Sequence, residues 1–166
     1  MSRGFVKESD QEELPLIPPR PPLPAGATNY VTPAGMAALE AERAALEAEK
    51  QDLPGDNEDE RRRAGTVIDG KLNLLNQRIA SARVLDPAGQ PQDEVRFGAH
   101  VKLRQQPGNR VQEFQIVGVD EADVKAKKIS FTAPIAQAVT GVRVGETADF
   151  RLGNELRKLE VLDIRY

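Results

Sequence analysis

Residues 32–82 read TPAGMAALEAERAALEAEKQDLPGDNEDERRRAGTVIDGKLNLLNQRIASA. Thr32 stands where an N-cap accepts a hydrogen bond from the first helical turn. Pro33 takes the first helical position, where its fixed φ and missing N–H do least harm. The pattern predicts a helix over residues 33–53. Leu39, Leu46 and Leu53 recur at seven, and Ala38, Ala41, Ala45 and Ala48 at three and four. One narrow apolar stripe therefore lies beside a face of Glu, Arg and Lys, as in a coiled-coil seam. Pro54 and Gly55 end the run. A second helical rhythm passes through Ile68, Leu72, Leu75, Ile79 and Ala82. Folding at residues 54–57 brings Leu46 toward residues 65–68 and Leu39 toward Leu72. The expectation is an antiparallel coiled-coil hairpin, about 30 Å long at 1.5 Å per residue.

The turn of that hairpin, LPGDNEDERRR (residues 53–63), holds four acids among five positions and then three arginines. Acids in a first helical turn are favoured by the helix dipole, and Asp56 or Asn57 is placed to cap the second helix. The other reading is chemical: Asp56 and Asp59 keep the three-residue spacing that lets two carboxylates face one way where a turn enters a helix.

Composition narrows the rest. A net charge of −3 over 166 residues does not suit a protein that coats nucleic acid by clustered Lys and Arg. Nucleic-acid binding, DNA included, is expected to be local or indirect. From residue 87 onward 12 basic residues face 11 acidic ones, against 8 and 11 in residues 32–86, so the acidity lies in the hairpin. The absence of cysteine excludes disulfides, thiolate metal sites and Cys nucleophiles. No stretch approaches the roughly 20 apolar residues of a membrane span. The expectation is a cytoplasmic monomer that does not engage membranes.

Residues 1–31 form a proline-rich extension centred on PLIPPRPPLP (residues 15–24). So dense a proline run favours polyproline II and cannot make a helix or central strand. It reads either as a strap lying on the rest of the protein or as a docking peptide for a partner.

After the turn-rich DPAGQPQ (residues 86–92) the period changes from 3.6 to 2. Candidate strands cover residues 94–97, 100–104, 111–117, 128–131, 148–152 and 156–164, with a short helix at 134–139. The fold class is α+β: a helical hairpin (residues 32–86) followed by a compact, mostly antiparallel β domain (residues 87–166).

Particular stretches then narrow the choice. VRFGAHVKL (residues 95–103), FQIVGVDEADVKAKKISFTAPIAQAVTG (residues 114–141) and the closing VLDIRY resemble the C-terminal domain of the bacterial Gre transcript-cleavage factors, the GreA/GreB family. YVTPAG resembles the entry to that family's first coil helix, and RVLDP the exit of its second. The resemblance covers residues 32–166 and implies an FKBP-like β domain that docks on RNA polymerase at the rim of the secondary channel. It also implies a hairpin that reaches the polymerase active site and acts at the 3′ end of backtracked RNA. There, acidic tip residues would help to hold a Mg²⁺ ion shared with the polymerase, the chain having none of its own. The residues matched to those roles, catalytic and metal-binding alike, are Asp56 and Asp59.

The tip departs from the family form Gly-Asp-x-x-Glu-Asn-Ala-x-Tyr. Gly55 and Asp56 align, the Glu position falls on Asp59, and the Asn, Ala and Tyr have no counterpart. Only 20 positions separate Gly35 from Gly55. The stalk is thus about a third shorter than the family's, and docking in the usual pose would leave its tip on the order of 10 Å short. The alternatives are a channel-occupying regulator without cleavage activity, and an adaptor whose hairpin binds another helical partner.

Other residues offer less. His100 has no second His or Cys beside it, and a surface or half-buried role is expected. Lys125, Lys127 and Lys128 read as a solvated loop or a polymerase contact. VTGVRVG lacks the Lys-Ser/Thr ending of a phosphate loop. With no Trp and five Phe, an aromatic pocket for prolyl isomerisation is not expected.

Overall fold

The computed structural model describes residues 13–166. The first twelve residues of the proline-rich extension lie outside the described part. Two helices form the hairpin: α1 (Pro33–Gln51) and α2 (Glu58–Ser81). Thr32 caps α1 as its sequence position predicts, its hydroxyl oxygen accepting from the Gly35 N–H at 3.0 Å. Helix α1 stops at Gln51, two residues before the expected end. Leu39, Leu46, Ile68 and Leu75 are buried in one seam with Val31, flanked by Met36, Leu53, Leu72 and Ile79. Two stripes too narrow to sustain single helices in water thereby cover each other. Lys50 and Asp69 add an exposed ion pair across the helices at 2.6 Å, worth little beside the seam.

The hairpin base holds a pairing absent from the sequence reading. Strand β1 (Asn29–Val31) runs parallel to β2 (Ala82–Val84), tying the chain entering α1 to the chain leaving α2. Asn29 is buried and donates through Nδ2 to the Arg78 carbonyl at 3.0 Å and to the Ser81 hydroxyl at 3.2 Å, while its Oδ1 has no hydrogen-bond partner among the described residues.

A five-stranded sheet of order β5-β4-β3-β7-β6 makes up the second unit: β3 (His100–Gln106), β4 (Arg110–Val117), β5 (Lys128–Ser130), β6 (Thr147–Leu152) and β7 (Glu155–Arg165). All its pairings are antiparallel except β4 with β5. Alternation puts Val101 and Leu103 inward with Phe114, Ile116, Leu159 and Val161, each nearly inaccessible. Fully burying such a side chain contributes roughly 1.5–3 kcal/mol. Helix α3 (Pro134–Val139) closes this core with Ala136 and Val139.

The expected strand at residues 94–97 does not form. Gly98, at φ +88°, turns the chain against Pro87, so the run is cut short of a ladder. An isolated bridge pairs Glu94 with Arg143, the Val95 N–H donates to the Val142 carbonyl, and the Val95 carbonyl accepts from the Gly141 N–H.

Candidate functional site

The far end of the hairpin is built by three local devices. Gly55 has φ +123°, a left-handed conformation that a side chain would strain, and it reverses the chain after α1. Asn57 caps α2, its Oδ1 accepting from the Asp59 N–H at 3.0 Å, so the cap falls on Asn57 and not on Asp56. Glu58, Asp59 and Glu60 then fill the first turn of α2, where the helix dipole favours negative charge. Every residue from Pro54 to Arg63 is exposed.

The two candidate carboxylates differ in their commitments. Asp59 donates its backbone N–H to the cap, and its Oδ1 accepts from Arg62 Nη2 at 3.2 Å on an open surface. Asp56 forms no hydrogen bond or ion pair among the described residues. Nor do the described residues contain any group of three or more His, Asp or Glu able to hold a metal ion. The donor chemistry is that of hard carboxylate oxygens, which suits Mg²⁺, and the number suits one or two ligands offered to an ion held mainly by others.

The remaining candidates sit apart from the tip. His100 is exposed at the start of β3, opposite Arg165 and Gln115, in an open groove of about 490 Å³ that Lys102, Glu113 and Asp163 also line. Lys125 and Lys127 are exposed on the turn between β4 and β5, and Lys128 is half-buried as β5 begins.

The junction that aims the tip was not read from the sequence. Glu121, on the turn after β4, accepts from the Thr32 N–H and the Gly118 N–H through Oε2, each at 3.0 Å, and from the Thr32 hydroxyl through Oε1. The approach is close enough that a Cβ on Gly35 would stand 2.1 Å from the Glu121 carboxyl carbon. Tyr30, Phe97 and Phe131 form a second contact between the units, with ring centroids 5.7–6.0 Å apart. The acids of VGVDEAD were the available signal, in a turn where solvated charge is the ordinary reading.

A rigid helical hairpin based on a β domain and ending in exposed acids defines a protein that presents carboxylates at a distance from its body. Residues 90–166 match the family model "Transcription elongation factor, GreA/GreB, C-term". The transcription elongation factor GreA of Acidiphilium cryptum is 37% identical over 105 residues, covering 63% of this chain and 67% of the relative. That of Thermodesulfovibrio yellowstonii is 35% identical over 105 residues, with 63% and 66% covered. The chain belongs to the GreA/GreB family, and it spans about two thirds of the length of these curated relatives. Among solved structures, Gfh1 of Thermus thermophilus aligns over 84% of this chain and 100% of its own, at 19% identity and a TM-score of 0.38. The GreA/GreB factor of Nitrosomonas europaea aligns over 82% and 98%, at 22% identity and a TM-score of 0.41.

Proposed function

We propose that this chain acts as a monomeric elongation factor that docks on RNA polymerase by its β domain at the rim of the secondary channel. The hairpin enters the channel and brings Asp56 to the polymerase active site, at the 3′ end of backtracked RNA. Family membership supports the partner. The observation that carries the mechanism is that Asp56 is exposed at the far end of the hairpin and engaged by no other described residue.

A Mg²⁺ ion shared with the polymerase would supply charge neutralisation for attacking and leaving oxygens. This chain's part is to deliver an oxygen donor from Asp56, fixed in place by the Gly55 turn and the Asn57 cap. Asp59 offers a second donor, its Oδ1 held by Arg62 in an exposed ion pair whose loss costs about 0–1 kcal/mol.

A second reading, occupation of the channel without cleavage, is favoured by the length of α1. Its 19 residues span about 28 Å. The test is RNA cleavage in backtracked complexes, with polymerase retention of the full chain measured alongside. Cleavage by the wild type, lost in Asp56→Ala/Asp59→Ala, supports the first reading. Retention with an inert wild type supports the second, and no retention overturns both.

A further inference from the structure

Polyproline II turns once every three residues, so residues at i, i+3 and i+6 share a face. In the proline-rich segment Ile17, Arg20 and Leu23 are partly buried, while Pro18, Pro19, Pro21 and Pro22 are exposed and Leu16 is 92% exposed. One face of the segment is therefore laid on the protein. Ile17 rests on Gly70 of α2, where a Cβ would fall 1.9 Å from its Cδ1 and 2.7 Å from its Cγ1. Only glycine leaves room for it there.

Three residues further along, Arg20 joins the two units. Its Nη1 and Nη2 donate to Glu42 of α1 at 2.8 and 3.2 Å, and its Nε donates to Asp120 Oδ1 of the β domain at 3.0 Å. The hydrogen bond to Glu42, against the opposing effect of burial and with help from Asp120, raises the guanidinium pKa further above its ordinary value. The Asp120 side chain is 2% exposed. Its other oxygen lies 3.6 Å from Arg78 Nε of α2 and has no hydrogen-bond partner, nor has the buried Arg78 Nη1. Arg78 in turn gives Nη2 to the Pro21 carbonyl at 2.5 Å. The segment thus supplies one cation to a buried carboxylate and orients the other. Without it, Asp120 keeps only a loosely placed Arg78, and a buried charge stripped of its partner is strongly destabilising.

We propose that the proline-rich segment is a latch that fixes the angle between hairpin and β domain, with Arg20 tying α1 through Glu42 to Asp120. A proline-rich chain suits this role because it is stiff before it docks, so that less conformational entropy is lost on binding. In the reading proposed above, the latch aims the tip, and a partner that captured the segment would release it. That consequence rests on the polymerase assignment, but the latch itself does not.

The absence of cysteine allows a clean spin-label pair at Glu49→Cys, near the tip, and Val144→Cys, on the β domain. In the full chain the inter-label distance distribution should be narrow. It should broaden about two-fold or more in Arg20→Ala, since domains joined by small interfaces move by default. Gly70→Ala should broaden it too by displacing Ile17, while raising the helical propensity of α2. Arg20→Lys, which keeps charge but loses the fork, should fall between. If Arg20→Ala loses its circular-dichroism helix signal, Gly70→Ala carries the test. Distributions that superimpose on the parent's in both variants overturn the latch. A broadened distribution in a chain that polymerase does not retain leaves the latch standing and removes the functional reading.

Discussion

The Thr32 hydroxyl accepts from the Gly35 N–H at 3.0 Å and donates to the Glu121 carboxylate, so one side chain both starts α1 and fastens the hairpin to the β domain. Thr32→Ala should remove the cap and a charge-assisted bond together, at a combined cost of about 3 kcal/mol. Thr32→Ser keeps the oxygen and should recover most of it. Urea unfolding checks both, and equal midpoints for wild type and Thr32→Ala would show that the junction contributes nothing.

Within the hairpin, stability should follow burial along the seam. Leu75 is fully buried, and Leu75→Ala should cost about 2–5 kcal/mol. Leu72→Ala, at a partly buried flank, should cost visibly less. The comparison is made by urea titration of α-helical circular dichroism, and a larger loss at Leu72 would contradict the packing.

Most of this architecture is legible in the sequence because it rests on periodicity. The heptad leucines, the Thr32-Pro33 start and the Pro54-Gly55 stop are local signals, and helix α3 (Pro134–Val139) coincides with the short helix read from the sequence. What escaped is non-local. Three-residue strands such as Asn29–Val31 have no pattern of their own and exist only because α2 returns its end beside them. Glu121 and Asp120 look like solvated turn acids until Thr32 and Arg20 arrive from about 90 and 100 positions away. At the tip the acids were plain, but which residue caps depends on backbone geometry: Asn57 takes that role, leaving Asp56 unengaged.

That division of labour at the tip has a measurable consequence. Asn57→Ala should lose a cap worth about 1 kcal/mol and fray the first turn of α2, raising amide exchange there. Asp59→Asn breaks an exposed pair with Arg62 and should cost under about 0.5 kcal/mol. If exchange over residues 58–61 is unchanged in Asn57→Ala, the capping geometry is wrong.

The C-terminal Tyr166 ties the end of β7 to the loop before β3. Its hydroxyl donates to the Glu94 carbonyl at 2.6 Å and accepts from the Arg96 N–H at 2.8 Å. Burial pushes the phenol pKa up, outweighing the Arg96 N–H, which favours the phenolate. A raised pKa means the folded state holds its proton more tightly than the unfolded chain does. The stabilisation is therefore fully present below the ordinary phenol value of about 10 and is lost as pH rises from there through the folded-state value. Tyr166→Phe should lower stability at neutral pH by about 1–2 kcal/mol, because two backbone groups lose their partner. It should also remove this residue's share of the alkaline loss, so the gap between wild type and variant narrows as pH climbs past about 10. Urea midpoints measured for both from neutral to alkaline pH decide it, and a gap that stays constant or widens above that range contradicts the assignment.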